Sequence, residues 1–244
     1  MALADAFWAT VGLLFGVGFV WAALRSLRQS WTVLSTPRTD ARDVTAGPVR
    51  LHGTVRAGEE AVAGPLTGTR CALARWEIRQ GTGTGRLETE LASGYDAAPF
   101  RLEDGTGAVE VAVTGERELF DLDIELGSDW DDPIYEVPYS EERPEPAAAL
   151  ESAADVHDWA TGGASVSERL GVKRRYHEWR VETGDEVTVY GEARETPAGT
   201  VVEPGETFVL ATGDLARTLQ FRTLVFLLAA AFFLGGSFAV LGWL

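Results

Sequence analysis

The 244 residues carry 21 Lys and Arg against 37 Asp and Glu, a formal charge of −16, with 45% hydrophobic residues and a single cysteine, Cys71. So acidic a chain is a poor partner for nucleic acid, whose duplex is bound by neutralising phosphates with cations. One cysteine excludes an intramolecular disulfide and a thiolate zinc cluster, and His52, His157 and His177 are scattered without an HExxH spacing, so neither metal nor cofactor is expected.

Residues 1–5 form a short tail. Ala6–Leu24 is then uncharged and apolar, and at ~1.5 Å rise per residue it makes a helix of roughly 28 Å, close to the ~30 Å hydrocarbon core of a bilayer. A secretory signal would want basic residues before this run and small ones after it; Asp5 and then Arg25 and Arg28 stand there instead, so the run reads as transmembrane helix 1. Residues 25–46 are a polar juxtamembrane segment in which the helix continues for a turn or two until Pro37 ends it.

Residues 47–211 read as a β domain. Val49, Leu51, Gly53 and Val55 alternate with Arg50, His52, Thr54 and Arg56, the period-2 pattern of a strand with one wet face. In Arg70–Gln80, Ala72, Ala74, Trp76 and Ile78 share one face, and Leu73, Arg75, Glu77 and Arg79 the other. Gly81, Gly83 and Gly85 read as a hairpin loop into Leu87–Leu91; no Gly-Lys-Ser/Thr follows to make a phosphate loop. Asp104-Gly105 between Phe100–Leu102 and Val109–Val113 is a strong hairpin signal, because the turn requires positive φ.

Ser128–Pro146 is acidic and carries four prolines, so it is expected to be an exposed irregular loop, with Asp129, Asp131 and Asp132 solvated. A helical arm is expected over 147–170: Ala147–Trp159 is amphipathic up to Gly162-Gly163, and a shorter helix runs from Ser165 to Leu170. Asp155, His157 and Asp158 read as surface. Strands return around Gly184-Asp185, Val187–Gly191, Pro197–Gly199 and Phe208–Leu210. Residues 212–222 form a helical stem leading into transmembrane helix 2, Thr223–Leu244, roughly 33 Å long.

Arg25, Arg28, Arg38 and Arg42 follow the first span and Arg217 and Arg222 precede the second, so the basic flanks place the domain on the cytoplasmic side of the cell membrane and both termini outside. Gly12 and Gly16, with Ala231, Gly235 and Ala239, give four-residue spacings of small side chains that let the helices pack on each other or on a second copy. With one lysine against 20 arginines, the acidic domain has the composition of a protein adapted to high salt.

The order of Gly64-Pro65-Leu66-Thr67-Gly68, Cys71 to Ile78, Pro99-Phe100 to Asp104-Gly105-Thr106-Gly107, Arg175-Tyr176-His177-Glu178 and Gly184-Asp185 to Gly191, between two spans, resembles the GIDE ("beside a membrane") domain of MULAN-type membrane E3 ubiquitin ligases. The resemblance implies structural roles for Gly68, Cys71, Pro99, Phe100, Asp104, Gly107, Tyr176, Gly184, Asp185 and Gly191. It implies no catalytic residue, because those ligases act through a RING whose zinc ligands are Cys and His, and this sequence has one Cys.

The sequence therefore predicts a mainly β membrane protein, with a barrel-like or OB-like domain, a short helical insertion and two flanking transmembrane helices. The expected function is non-catalytic binding or scaffolding at the bilayer, with another membrane or membrane-associated protein as partner and Arg75, Glu77 and Arg79 as the candidate interaction surface. An accessory subunit of a membrane protease or ubiquitin-like ligase system is the alternative. An unrecognised hydrolase is the second.

Overall fold

The computed structural model describes residues 2–58, 60–82, 88–113, 122–125, 133–139, 141–156, 171–197, 199–212 and 215–242. The chain divides into two compact units, residues 1–37 with 214–244, and residues 38–213.

The first unit is a pair of helices, α1 (Ala2–Ser35) and α3 (Leu215–Gly242). Over Thr10–Ser35, α1 is long and apolar enough to cross a membrane, and the apolar stretch described on α3, Thr223–Ser237, is shorter. As expected, α1 continues past Arg25 and Arg28 and stops just before Pro37. Its inner seam is Gly12, Gly16, Phe19, Ala23, Ser26, Ser30 and Val33, at alternating steps of four and three residues. That 3.5-residue period is the signature of paired helices packing along a continuous line.

On α3 the seam is Thr223, Ala230 and Ser237, again seven apart, with Phe233 and Leu234 between. A Cβ on Gly12 would lie 2.4 Å from Ser237 Oγ, and one on Gly16 2.5 Å from Leu234 Cδ2, so at both positions the helices approach too closely for a larger side chain. Ser26 and Thr223 share a hydroxyl hydrogen bond of 3.0 Å. Gly12 and Ser26 are fourteen residues apart on α1, as are Thr223 and Ser237 on α3, so the antiparallel register holds along the pair. Gly235 is not in the seam: nothing lies within 4 Å of a Cβ built there, because it is turned about 100° from Leu234 around the helix. The side chain of Ala239 lies outside the described residues.

The second unit is mostly β. A closed five-stranded barrel is made by β1 (Gly47–Ala57), β6 (Phe100–Glu103), β7 (Ala108–Val111), β12 (Gly199–Glu203) and β11 (Glu186–Thr196), in that order around the ring. All neighbours are antiparallel except β7 and β12. Closure depends on β1, whose first part pairs with β11 and whose last part pairs with β6. Gly53 sits at the changeover, where a Cβ would come within 2.4 Å of Glu103 O, so only glycine lets the strands converge. β13 (Phe208–Thr212) and β8 (Leu122–Glu125) extend the sheet beyond β11. Leu51, Val55, Phe100, Leu102, Val189 and Phe208 are central to the barrel core.

Two excursions from the barrel build a second sheet. β4 (Leu73–Thr82) and β5 (Glu88–Ala97) leave between β1 and β6, after a short ribbon of β2 (Val62–Ala63) and β3 (Arg70–Cys71); β9 (Tyr135–Pro138) and β10 (Val172–Val181) leave between β7 and β11. Pairing of β4 with β10 joins them in the order β5-β4-β10-β9. Helix α2 (Glu145–Ala153) packs on this sheet over Leu66, Ile78, Val137 and Tyr176.

The alternation read in β1, the Asp-Gly hairpin between β6 and β7 and the β4–β5 hairpin are all present; residues 83–87 of that last loop lie outside the described residues. The acidic Pro-rich segment is not irregular throughout. Tyr135–Pro138 is an edge strand with Val137 buried, and Pro138 is tolerated there because it closes the strand on the sheet's edge. The arm helix is also earlier and shorter than expected: Pro146 occupies its first turn, where a missing N–H costs nothing, and it ends at Ala153 before Asp155, whose φ is +51°. The expected helix over 165–170, the aspartates at 129, 131 and 132, His157 and Asp158 lie outside the described residues.

Candidate functional site

The pairing Glu77↔His177, with Arg75↔Trp179 and Arg79↔Arg175, puts these side chains on one face of the second sheet. Ser93 and Tyr95 of β5 lie opposite Glu77 and Arg75. The predicted stripe of Arg75, Glu77 and Arg79 is therefore real as a face, but it is not a wet one, since Glu77 is 1% exposed. Arg75 Nη2 donates to Glu77 Oε1 at 2.5 Å, while Arg79 donates through Nε at 2.8 Å and Nη2 at 2.5 Å to Oε2. The Arg75 guanidinium lies 5.5 Å above the Trp179 ring, which stacks on His177 at 5.5 Å and 8°. Two guanidiniums thus share one buried carboxylate beside an aromatic pair. At the rim, Arg175 pairs with Glu136 and Glu88, and Lys173 with Glu136.

The opposite face carries a second buried acid. Glu178 accepts from Leu66 N at 2.6 Å, Thr67 N at 3.2 Å, Thr67 Oγ1 at 2.5 Å and Arg180 Nη1 at 2.8 Å, and its side chain is 0% exposed. The loop Gly64–Gly68 thus wraps a carboxylate supplied by the protein itself. Gly64 leaves the room, since a Cβ there would meet Glu178 Oε1 at 2.4 Å, and Gly68 turns the chain at φ +69°. Glu151 of α2 plays a similar part, accepting from Tyr176 Oη at 2.6 Å, Arg174 Nη1 at 2.5 Å and Arg143 Nε at 3.0 Å, which fastens the helix to the sheet. Burial, and then the Glu151 carboxylate, raise the Tyr176 phenol above its ordinary range.

The remaining motif positions are structural. Cys71 is fully buried, its thiol directed at Val62 O, and burial followed by the field of Glu178 pushes its pKa up to about 11. Phe100 is in the barrel core, Pro99 enters its strand, and Gly191 meets Glu203 O closely. Gly184, at φ +103°, and Asp185 turn β10 into β11, with Asp185 Oδ2 accepting from Glu182 N. Asp104 organises the β6–β7 turn and also accepts from Ala41 N at 2.7 Å, which fastens the 3-10 turn Ala41–Asp43 to the barrel beside Gly107.

Desolvation would raise the Asp104 pKa, but the hydrogen bonds from Thr106, Ala41 and Gly107 outweigh it and hold it at about 2. A depressed pKa stabilises the fold above the unfolded value of 3.8 and loses that contribution as pH falls towards 2. Asp104→Asn is expected to flatten the acid limb of stability between pH 4 and pH 2, read as unfolding midpoint against pH; an unchanged limb would remove Asp104 from the acid response.

Grooves open on this unit among the described residues. One of about 410 Å³ is lined by Arg38, His52, Thr54, Arg56, Glu103 and Glu186, and one of about 660 Å³ lies beside α2 along Glu142, Arg143, Glu151, Ser152 and Asp155. Both have mixed charge, and among the described residues no group of three His, Cys, Asp or Glu is arranged to hold a metal ion. Sequence reasoning missed Glu151 and assigned Glu178 no role. The available signal was that Glu178 alternates with Tyr176 and Arg180 on the face that pairs with Trp76 and Ile78, an acid beside large rings and a cation. Comparison with protein-family models, with curated proteins and with solved structures finds no match to this chain.

Proposed function

We propose that this chain is a membrane-anchored, non-catalytic binding or scaffold module, in which α1 and α3 both span the bilayer and hold a GIDE-like, OB-like barrel domain at the cytoplasmic surface. The observation that carries this reading is the helix pair: its seam is small and hydroxylic, and its outward side chains are large and apolar, with Leu14 67%, Trp21 63% and Phe232 75% exposed. A pair built for water would have the reverse arrangement; one built for lipid packs through small residues and faces outward with large ones.

The register adds to this. With Ser26 opposite Thr223, the two apolar runs lose their charge-free character at the same height, and from Arg25 back to Trp8 is about 26 Å along the helix, the depth of a hydrocarbon core. The OB-like description is supported by the ring order, with two hairpin-linked strand pairs and one parallel closure between β7 and β12. The scaffold reading is supported by the interlocked charges of the second sheet, in which the buried acids are engaged by the protein's own donors.

Alkaline carbonate extraction followed by crosslinking in intact membranes tests the proposal. The chain is expected to stay with the bilayer and to capture a protein through exposed positions around Arg75 and Arg79. Release into the supernatant would contradict the anchor, and capture of no partner would contradict the scaffold. The alternative of a subunit within a larger integral assembly is favoured by Gly235 and Gly236, which leave open space on α3 for another helix. Co-migration with a larger species in native gels selects it.

A further inference from the structure

The helix pair carries cations without matching anions. Between Asp5 and Asp40 on one side, and after Asp214 on the other, neither helix contains an acid. Arg25 and Arg28 are exposed on α1 and flank Ser26, which hydrogen-bonds to Thr223 of α3. Among the described residues neither Arg25 nor Arg28 is in an ion pair, and the Arg25 guanidinium instead lies 5.8 Å above the Trp21 ring. The other arginines after α1 are engaged elsewhere, Arg38 with His52 O and Arg42 with Asp40 and Asp43. Past the arginines the surface of α1 turns apolar again, with Leu27 and the 74%-exposed Trp31. Guanidiniums at one level, bracketed by exposed indoles, match the phosphate layer of a bilayer, where a cation finds phosphate oxygens and an amphipathic ring finds the interface.

Resting on the two-span reading, we propose that Arg25 and Arg28 form a binding site for the headgroup phosphate of an anionic phospholipid. Net charge makes the site consequential, because a chain of −16 is repelled by an anionic surface and this collar supplies the local attraction. Arg in preference to Lys suits the task, since its planar fork holds two phosphate oxygens at once.

The test uses the full chain, reconstituted in phosphatidylcholine vesicles with and without phosphatidylglycerol and then titrated with each lipid in detergent by native mass spectrometry. Wild type is expected to retain phosphatidylglycerol over phosphatidylcholine. The double variant R25Q/R28Q is expected to lose about thirtyfold of that preference, two cations at the strength a surface-bound cation has near a bilayer. R25K/R28K is expected to keep most of it, and R42Q all of it. Equal retention of the two lipids by wild type, or an undiminished preference in R25Q/R28Q, overturns the site, as does displacement of the lipid by inorganic phosphate. Flotation with the vesicles separates the two claims: a chain that floats without lipid preference sinks only the site, whereas one that does not float sinks the spans.

Discussion

Replacing Glu178 with alanine is expected to lower the unfolding midpoint of the β domain by roughly 10–15 °C, corresponding to about 3–5 kcal/mol. The carboxylate is inaccessible to water and is the acceptor for two backbone N–H groups, a threonine hydroxyl and a guanidinium. Removing it strands the buried amide of Leu66, and an unsatisfied buried donor costs more than a formed hydrogen bond returns. Arg180 is less affected, because it also donates to Glu182 at 2.9 Å. The loop it holds carries Leu66 into the core under α2, so its release should also loosen that helix. Glu178→Gln, which keeps one acceptor oxygen, should fall between wild type and alanine. Differential scanning fluorimetry of the three proteins reads the order; an alanine variant within 2 °C of wild type would show that the loop is held by something else.

Glu77→Ala is the second large effect, expected at about 3 kcal/mol and a drop of roughly 6–12 °C. Here the damage is electrostatic. Two guanidiniums that now share one buried carboxylate would lose that common acceptor beside His177 and Trp179, and breaking a buried ion pair on one side costs more than the pair contributed. The triple change Arg75→Met, Glu77→Leu, Arg79→Met removes the charges together and should recover much of the loss, since apolar replacement of a whole buried ionic group is often neutral. Equal destabilisation by the single and the triple variant, measured in the same melt, would mean that packing rather than charge is lost.

Where the sequence was legible, local rules decided the structure. β1 reads correctly because residues 49–55 alternate strictly and the barrel interior takes every second side chain. The β6–β7 hairpin reads correctly because Gly105 supplies φ +84°. The burial of Glu77 was not legible: a charged alternation on one strand looks the same whether the face is wet or covered, and what covers it is assembled from an excursion about 100 residues away, joined only by the β4–β10 pairing. The parallel contacts β7–β12 and β13–β8 were hidden for the same reason.

Edge strand β9 was missed because proline and acid density argue for a loop, whereas Glu136 is drawn into register by Lys173 and Arg175 across the ladder. In the helix pair, Gly12 and Gly16 lie on one side of the seam. Gly235 lies off this seam on α3, because small size alone does not fix which way a residue faces. The seven-residue recurrence of Thr223, Ala230 and Ser237 does fix it.

Cysteine accessibility in sealed vesicles tests most directly that both helices cross the bilayer. On a Cys71→Ser background, Ala2→Cys, Gly242→Cys and Glu141→Cys would each be treated with a membrane-impermeant maleimide before and after permeabilisation. Two crossings require positions 2 and 242 to react from one side and position 141 only from the other. Reaction of positions 242 and 141 from the same side would show that α3 does not cross, and the account of a two-helix anchor would fail.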